Sequence, residues 1–209
     1  NDKVLLDVSS TEGVKKLDEC LLKVDPILNK DNDSEAQIAL GIAKQIVENS
    51  SAEQLLEPKS STSGLPILDY VSHNPELAKI ALKKLNGKQI SNFIQEKMVL
   101  VRGYKKEVIQ EIVDRLREEN VSLGTATNSR GHTLLMGMVD VEQSSEAVEF
   151  VIDQMKPEDF LGIGSNGKNV LEMLLETTKP YWREKHKAWI EKIIAKMPLQ
   201  GLRGLASQA

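Results

Sequence analysis

Apolar residues recur at helical spacing along almost the whole chain, and the alternating pattern typical of strands is nearly absent. Several of these runs begin with a residue that caps a helix. Asn74 precedes Pro75, and Ser144 precedes another apolar run, so backbone N–H groups of the first turn gain a side-chain acceptor. We therefore expect an all-α protein, with its longer helices over residues 11–24, 34–49, 52–57, 75–85, 103–119, 145–155 and 180–197.

A glycine followed by a short apolar helix recurs at near-regular distance. Gly131 and Gly167 are 36 residues apart, and Gly64 lies 67 residues before Gly131, about twice that period. Residues 98–101 lie halfway between and form a further copy without the glycine, preceded by residues 94–97 as a worn loop. Periods of this length predict a solenoid, in which each unit buries its apolar face against its neighbours.

The copy at residues 131–139, GHTLLMGMV, resembles the ankyrin signature G-x-T-P-L-H-x-A-A. Residues 103–109, GYKKEVI, are similar to the G-H-x-E-V-V start of that family's second helix. The resemblance covers about residues 64–200 and implies an α-solenoid of about four degenerate helix–loop–helix repeats. Residues 1–63 would then be a helical N-terminal segment or capping repeat, and 201–209 a flexible tail. An α-solenoid of HEAT or armadillo type is the alternative.

The stretch at residues 162–169, GIGSNGKN, matches G-x-G-x-x-G and nearly completes a P-loop. A P-loop needs a preceding strand and a Ser or Thr after its lysine, to hold magnesium. Here a helix and a turn precede Gly162, and Asn169 follows Lys168. We interpret the glycines as turn residues between repeats and expect no bound nucleotide or other cofactor.

Composition and the reactive residues argue against catalysis and metal binding. Cys20 is the single cysteine and lies on an apolar helical face, which predicts an inert buried thiol. His73, His132 and His186 lie in different repeats, so we expect no metal site. We interpret paired acids such as Glu158 and Asp159 as solvated surface charges. Because no acid–base pair is evident, we expect no catalytic residues.

The distribution of charge narrows the classes of partner. The net charge is −4, and residues 1–63 carry 7 basic against 12 acidic side chains. The chain has no strongly basic domain, so its charge does not indicate a nucleic-acid partner. No apolar run approaches the ~20 residues that span a bilayer. The basic helix at 180–197 has 6 basic and 2 acidic residues over 179–196. A basic amphipathic helix can lie on a membrane surface or bind a partner protein. The repeat period instead favours the interpretation that it is the second helix of the last repeat, with its tryptophans buried and its lysines exposed.

The resemblance implies protein binding through a concave surface of loop tips and first helices. The family's contact positions fall on Thr62, Ser63, Leu65, His73, Asn74, Ser129, Arg130, His132, Asp140, Val141, Ser165, Asn166, Lys168, Glu176 and Thr177. We therefore expect a protein-interaction module whose partner is another protein. The alternative is a regulatory or substrate-docking domain of a larger enzyme whose catalytic part lies outside this sequence. Degenerate arrays of this kind are also familiar in proteins that intracellular bacteria use on host cells, so the expected location is the cytoplasm, or the host-cell cytosol if the protein is secreted.

Overall fold

The structure is a computed structural model of the 209-residue chain. It describes residues 8, 11–24, 33–57, 66–97, 104–128, 131–140, 144–176 and 183–206. Within these ranges every regular element is a helix, no strand is present, and Thr127 and Thr133 form an isolated bridge. The predicted all-α class is confirmed.

The chain forms two compact units, Asn1–Leu85 and Asn86–Ala209, whereas the sequence suggested a division near residue 63. In unit 1, α1 packs against α2, α2 also contacts α5, and the short α4 contacts both α3 and α5. The helices of unit 1 are α1 Thr11–Val24, α2 Asp33–Asn49, α3 Ala52–Leu56, α4 Ile67–Val71 and α5 Pro75–Lys83.

Unit 2 contains seven α-helices in its described residues, together with a 3-10 helix at Pro157–Leu161. They are α6 Gly87–Lys97, α7 Lys106–Glu118, α8 Leu134–Asp140, α9 Ser145–Gln154, α10 Val170–Glu176, α11 Arg183–Lys196 and α12 Leu199–Ala206. The helices α7, α9 and α11 form a row with α9 in the middle, and α8 and α10 pack side by side.

Polar contacts show that α7, α9 and α11 run in the same direction. Lys106 at the start of α7 pairs with Glu146 at the start of α9 at 2.7 Å, and Arg117 near the end of α7 donates to the Gln154 carbonyl at 2.5 Å. On α11, Lys196 donates to the carbonyls of Ile152 and Asp153, at 2.8 Å each. Basic side chains from both neighbours therefore satisfy carbonyls in the last turn of α9.

Capping explains why the predicted helix starts are accurate. The Asn74 side chain accepts from the N–H groups of Glu76 and Leu77 at 3.0 and 3.2 Å, and Pro75 occupies the first helical position. Ser144 likewise accepts from the Ala147 N–H at 3.3 Å. The predicted helices 11–24, 34–49, 52–57, 75–85, 103–119, 145–155 and 180–197 all appear, with ends shifted by zero to three residues.

The prediction of a loop at residues 94–97 was wrong, because these residues continue α6. Ile90, Phe93 and Ile94 are buried at helical spacing. The side chain of Asn86 accepts from the Gln89 N–H at 2.9 Å while the Gln89 side chain accepts from the Asn86 N–H at 3.0 Å, which closes the start of the helix. The proposed copy at 98–101 and Gly64 lie outside the described residues.

The C-terminal end also differs from the prediction. Residues 201–206, expected to belong to a flexible tail, are part of α12, and 207–209 lie outside the described residues. A methyl group on Gly201 would lie 2.8 Å from a Leu161 methyl carbon, so α12 lies against the 3-10 helix. In the basic helix, Trp189 and Ile193 are buried and Lys187 is exposed, as expected, whereas Trp182 lies outside the described residues.

Candidate binding surface

Two loops of unit 2 share one backbone geometry. We call Asn128, Gly131 and His132, the described residues of the first of these turns, the first loop, and residues 164–168 the second loop. In the first, the Asn128 N–H donates to the His132 carbonyl and the Gly131 N–H to the Asn128 carbonyl, both at 2.8 Å. In the second, the Gly164 N–H donates to the Lys168 carbonyl at 2.8 Å and the Gly167 N–H to the Gly164 carbonyl at 2.9 Å. Each loop is therefore a tight turn at the same place in its repeat.

Positive backbone angles explain the glycines of these turns. Gly131 has φ 73° and Gly167 has φ 76°, which lie in the left-handed region that other residues enter only at a cost. A Cβ added at Gly131 would also lie 2.8 Å from the Ser165 amide nitrogen. The two loops are therefore in contact at Gly131 and Ser165.

Asp159 fixes the segment that leads into the first loop. Its Oδ1 accepts from the Ser122 hydroxyl at 2.6 Å and from the Gly124 N–H at 3.2 Å, and its Oδ2 accepts from the Lys156 N–H at 2.9 Å. Asp159 is buried, so the interpretation of this acid as a solvated charge was wrong, although Glu158 beside it is exposed. The sequence did carry a sign of this role. Pro157 marks a helix start, and an acid three residues after Lys156 can accept a hydrogen bond from the backbone at that start.

The helices that follow the loops begin with side-chain caps. Asn169 accepts from the N–H groups of Leu171 and Glu172 at 3.0 Å, and the Glu172 carboxylate accepts from the Asn169 N–H at 2.7 Å. These N–H groups are the ones a phosphate would bind in a P-loop, and a 3-10 helix stands where the P-loop needs a strand. The geometry of residues 162–169 is therefore that of a capped turn.

Lys168 is tied to the end of α10. Its ammonium donates to Glu176 at 2.5 Å, and the two side chains are 37% and 56% exposed. His132 and Asp140 occupy the corresponding positions one repeat earlier, 36 residues before in each case. Both repeats therefore carry a basic or imidazole side chain at the loop and a carboxylate at the end of the following helix.

The predicted contact residues divide into three groups. On unit 2, Ser165, Asn166, Asp140 and Glu176 are exposed and His132 and Lys168 are half-buried. On unit 1, His73 is exposed, while the Asn74 side-chain oxygen caps α5. The remaining predictions lie outside the described residues: Thr62, Ser63, Leu65, Ser129, Arg130, Val141 and Thr177.

The resemblance implied that the first helix of each repeat contributes to the binding surface, but α8 does not. All of its residues from Leu134 to Val139 are buried, and only Asp140 at its end is exposed. Apolar side chains occupy every side of this helix because neighbours enclose it. We therefore define the loop rim as the two loops together with Asp140 and Glu176.

Other candidate chemistry gives no site in the described part of the chain. Cys20 is buried, as predicted, and that burial raises the pKa of its thiol. Among the described residues, no three His, Cys, Asp or Glu side chains are grouped so as to hold a metal ion. None of the described helices has the length and apolar character to cross a membrane.

Comparison with known proteins leaves the family open. No protein-family model matches the chain, and neither curated proteins nor solved structures give a match. The fold and the loop rim therefore define the protein as an all-helical chain with a repeated loop–helix unit.

Proposed function

We propose that the chain is a protein-interaction module that binds a partner protein through the loop rim and acts by binding, without catalysing a reaction. The proposal rests chiefly on two observations: Gly131 stacks against Ser165, so that two equivalent turns lie side by side, and the polar tip of the second turn is exposed at Ser165 and Asn166. Surfaces that recognise proteins combine such polar, exposed groups with a rigid support.

The rigidity of the rim supports the same proposal. Each loop is closed by two backbone hydrogen bonds, and Asp159 anchors the approach to the first loop with three more. A surface that is already ordered loses little conformational entropy on binding, which favours affinity. We further propose that the units between residues 122 and 206 belong to an ankyrin-like array, since equal loop geometry recurs at a 36-residue interval.

A charge swap within the rim tests the binding role without removing an ion pair. The double variant Lys168→Glu, Glu176→Lys keeps the net charge and the ion pair between loop and helix, but it exchanges the positions of the positive and the negative side chain. Because exposed pairs contribute at most about 1 kcal/mol, the free energy of unfolding should change little. Partner proteins captured from lysate on immobilised chain should be lost or weakened by at least about tenfold in affinity.

The matched control is the swap Lys16→Glu, Glu19→Lys on α1, whose side chains are 45% and 50% exposed. This control should capture the same proteins as the unmodified chain. Equal capture by the rim swap and the unmodified chain would contradict the proposal, as would equal losses in both swaps.

A further inference from the structure

The second loop contains an Asn–Gly step, and the sequence has another at the start of α6. Asn166 precedes Gly167 in the loop, Asn86 precedes Gly87 at the helix, and a lysine follows in both places. Asparagine is chemically labile, because the backbone nitrogen of the next residue can attack the side-chain carboxamide within the same chain. A glycine at that next position has no side chain to block the attack. Both steps therefore have the local sequence that favours this reaction.

Solvent access differs between the two steps. Asn166 and Gly167 are both exposed, so a base from water can remove the proton of the Gly167 amide. Gly87 is buried, although Asn86 beside it is exposed. The nitrogen that must react belongs to an exposed residue in the loop and to a buried residue at the helix.

Free space differs as well. A Cβ placed on Gly167 would have no atom of the described residues within 4 Å, apart from its own neighbours in the chain. A Cβ placed on Gly87 would overlap the side chain of Glu119. Attack on the carboxamide closes a ring and moves the glycine backbone, so it has room in the loop and is opposed by packing at the start of α6.

The hydrogen bonds that must open also differ. In the loop, the Gly167 N–H donates to the Gly164 carbonyl at 2.9 Å, and this bond must open before the nitrogen can attack. At the helix, reciprocal bonds of 3.0 and 2.9 Å between Asn86 and Gln89 hold both the backbone and the side chain of the asparagine. Reaction there requires the first turn of α6 to unwind, which costs more than opening one turn of a loop.

The Asn166 carboxamide is polarised for attack. Its Oδ1 accepts a hydrogen bond from the Lys168 N–H at 3.1 Å. Attack at Cγ places negative charge on this oxygen, and a donor already in position stabilises that charge. Asn86 has an equivalent donor in the Gln89 N–H, so exposure and free space distinguish the two steps.

We propose that Asn166 is a site of spontaneous deamidation in the folded chain. The Gly167 nitrogen loses its proton to hydroxide and forms a bond to Cγ of Asn166, while the bond from Cγ to the side-chain nitrogen breaks and ammonia leaves with a proton from water. Water then opens the succinimide ring at either carbonyl, which gives aspartate or isoaspartate without an oxidant or an enzyme. Both products add a negative charge to the loop rim, and isoaspartate also lengthens the backbone by one carbon atom.

Peptide mass spectrometry of the folded full chain, incubated in mildly alkaline buffer, tests this proposal. The peptide that contains Asn166 should convert to its two acid products at least about tenfold faster than the peptide that contains Asn86. Chromatography should resolve the aspartate and isoaspartate forms. Equal rates at the two steps, or no conversion at Asn166, would overturn the proposal.

The same chain in guanidinium chloride is the control, because unfolding removes the structural difference between two identical Asn–Gly–Lys sequences. There both steps should react at similar rates, and Asn166 should react faster than in the folded chain because the bond to Gly164 is absent. A preference for Asn166 that persisted in the unfolded chain would show that the fold does not cause it and would overturn the structural assignment. The reaction needs no partner protein, so its outcome is independent of the binding role of the rim.

Discussion

At the scale of single residues, two glycines with the same backbone angle have different surroundings. Gly131 and Gly167 both adopt positive φ, but only Gly131 touches the neighbouring loop, at the Ser165 amide. Around Gly167, no atom of the described residues, apart from its own neighbours in the chain, lies within 4 Å of the place where a Cβ would stand. The turn conformation requires both glycines, and the stacking of the loops requires Gly131 in addition.

Alanine at each glycine separates these two requirements. Gly167→Ala should lower the free energy of unfolding by about 1 kcal/mol, the cost of left-handed backbone. Gly131→Ala should cost roughly 2 kcal/mol or more, because its methyl group also displaces the second loop. Urea denaturation of the two variants gives the comparison, and equal losses would show that the loops do not press on each other.

The thiol of Cys20 should react as a buried group. Burial disfavours the charged thiolate and raises the pKa of Cys20, so in the folded chain alkylation by iodoacetamide should begin at higher pH than in the urea-unfolded chain. The rate against pH, followed by mass spectrometry, checks this. Coincident profiles for folded and unfolded protein would contradict the buried position.

At the scale of elements, the helices with strong caps were predictable and the irregular ones were not. Asn74, Pro75 and Ser144 mark their helix starts by local chemistry, which the sequence displays directly. The start of α6 carries a reciprocal cap from Asn86 and Gln89, which does not belong to the repeated loop pattern. Helix α12 was missed because its two glycines weaken helix propensity, while contact with the 3-10 helix supports it.

The link between consecutive repeats depends on Asp159. Asp159→Ala removes an acceptor from the Ser122 hydroxyl and from two backbone N–H groups, so it should cost about 2 to 3 kcal/mol of unfolding free energy. The exposed neighbour provides the control, because Glu158→Ala should change stability by less than about 0.5 kcal/mol. Similar effects from the two variants would rule out the anchoring role.

At the scale of the whole molecule, the sequence predicted the helical class and the 36-residue recurrence at Gly131 and Gly167, both of which depend on local patterns. It did not predict the division after Leu85 or the enclosure of α8, because these depend on which apolar faces meet in three dimensions. Exposure of the loop tips at Ser165 and Asn166 was predictable from their polarity. We assign the partner-binding surface, the loop rim, to unit 2.

Amide hydrogen exchange of the chain with and without its captured partner protein tests the central claim most directly. The loop rim should show slower exchange in the complex at residues 128–132 and 164–168, while α1 and α2 of unit 1 exchange as in the free chain. Unchanged exchange in both loops, with protection confined to other segments, would contradict the assignment of the loop rim as the binding surface.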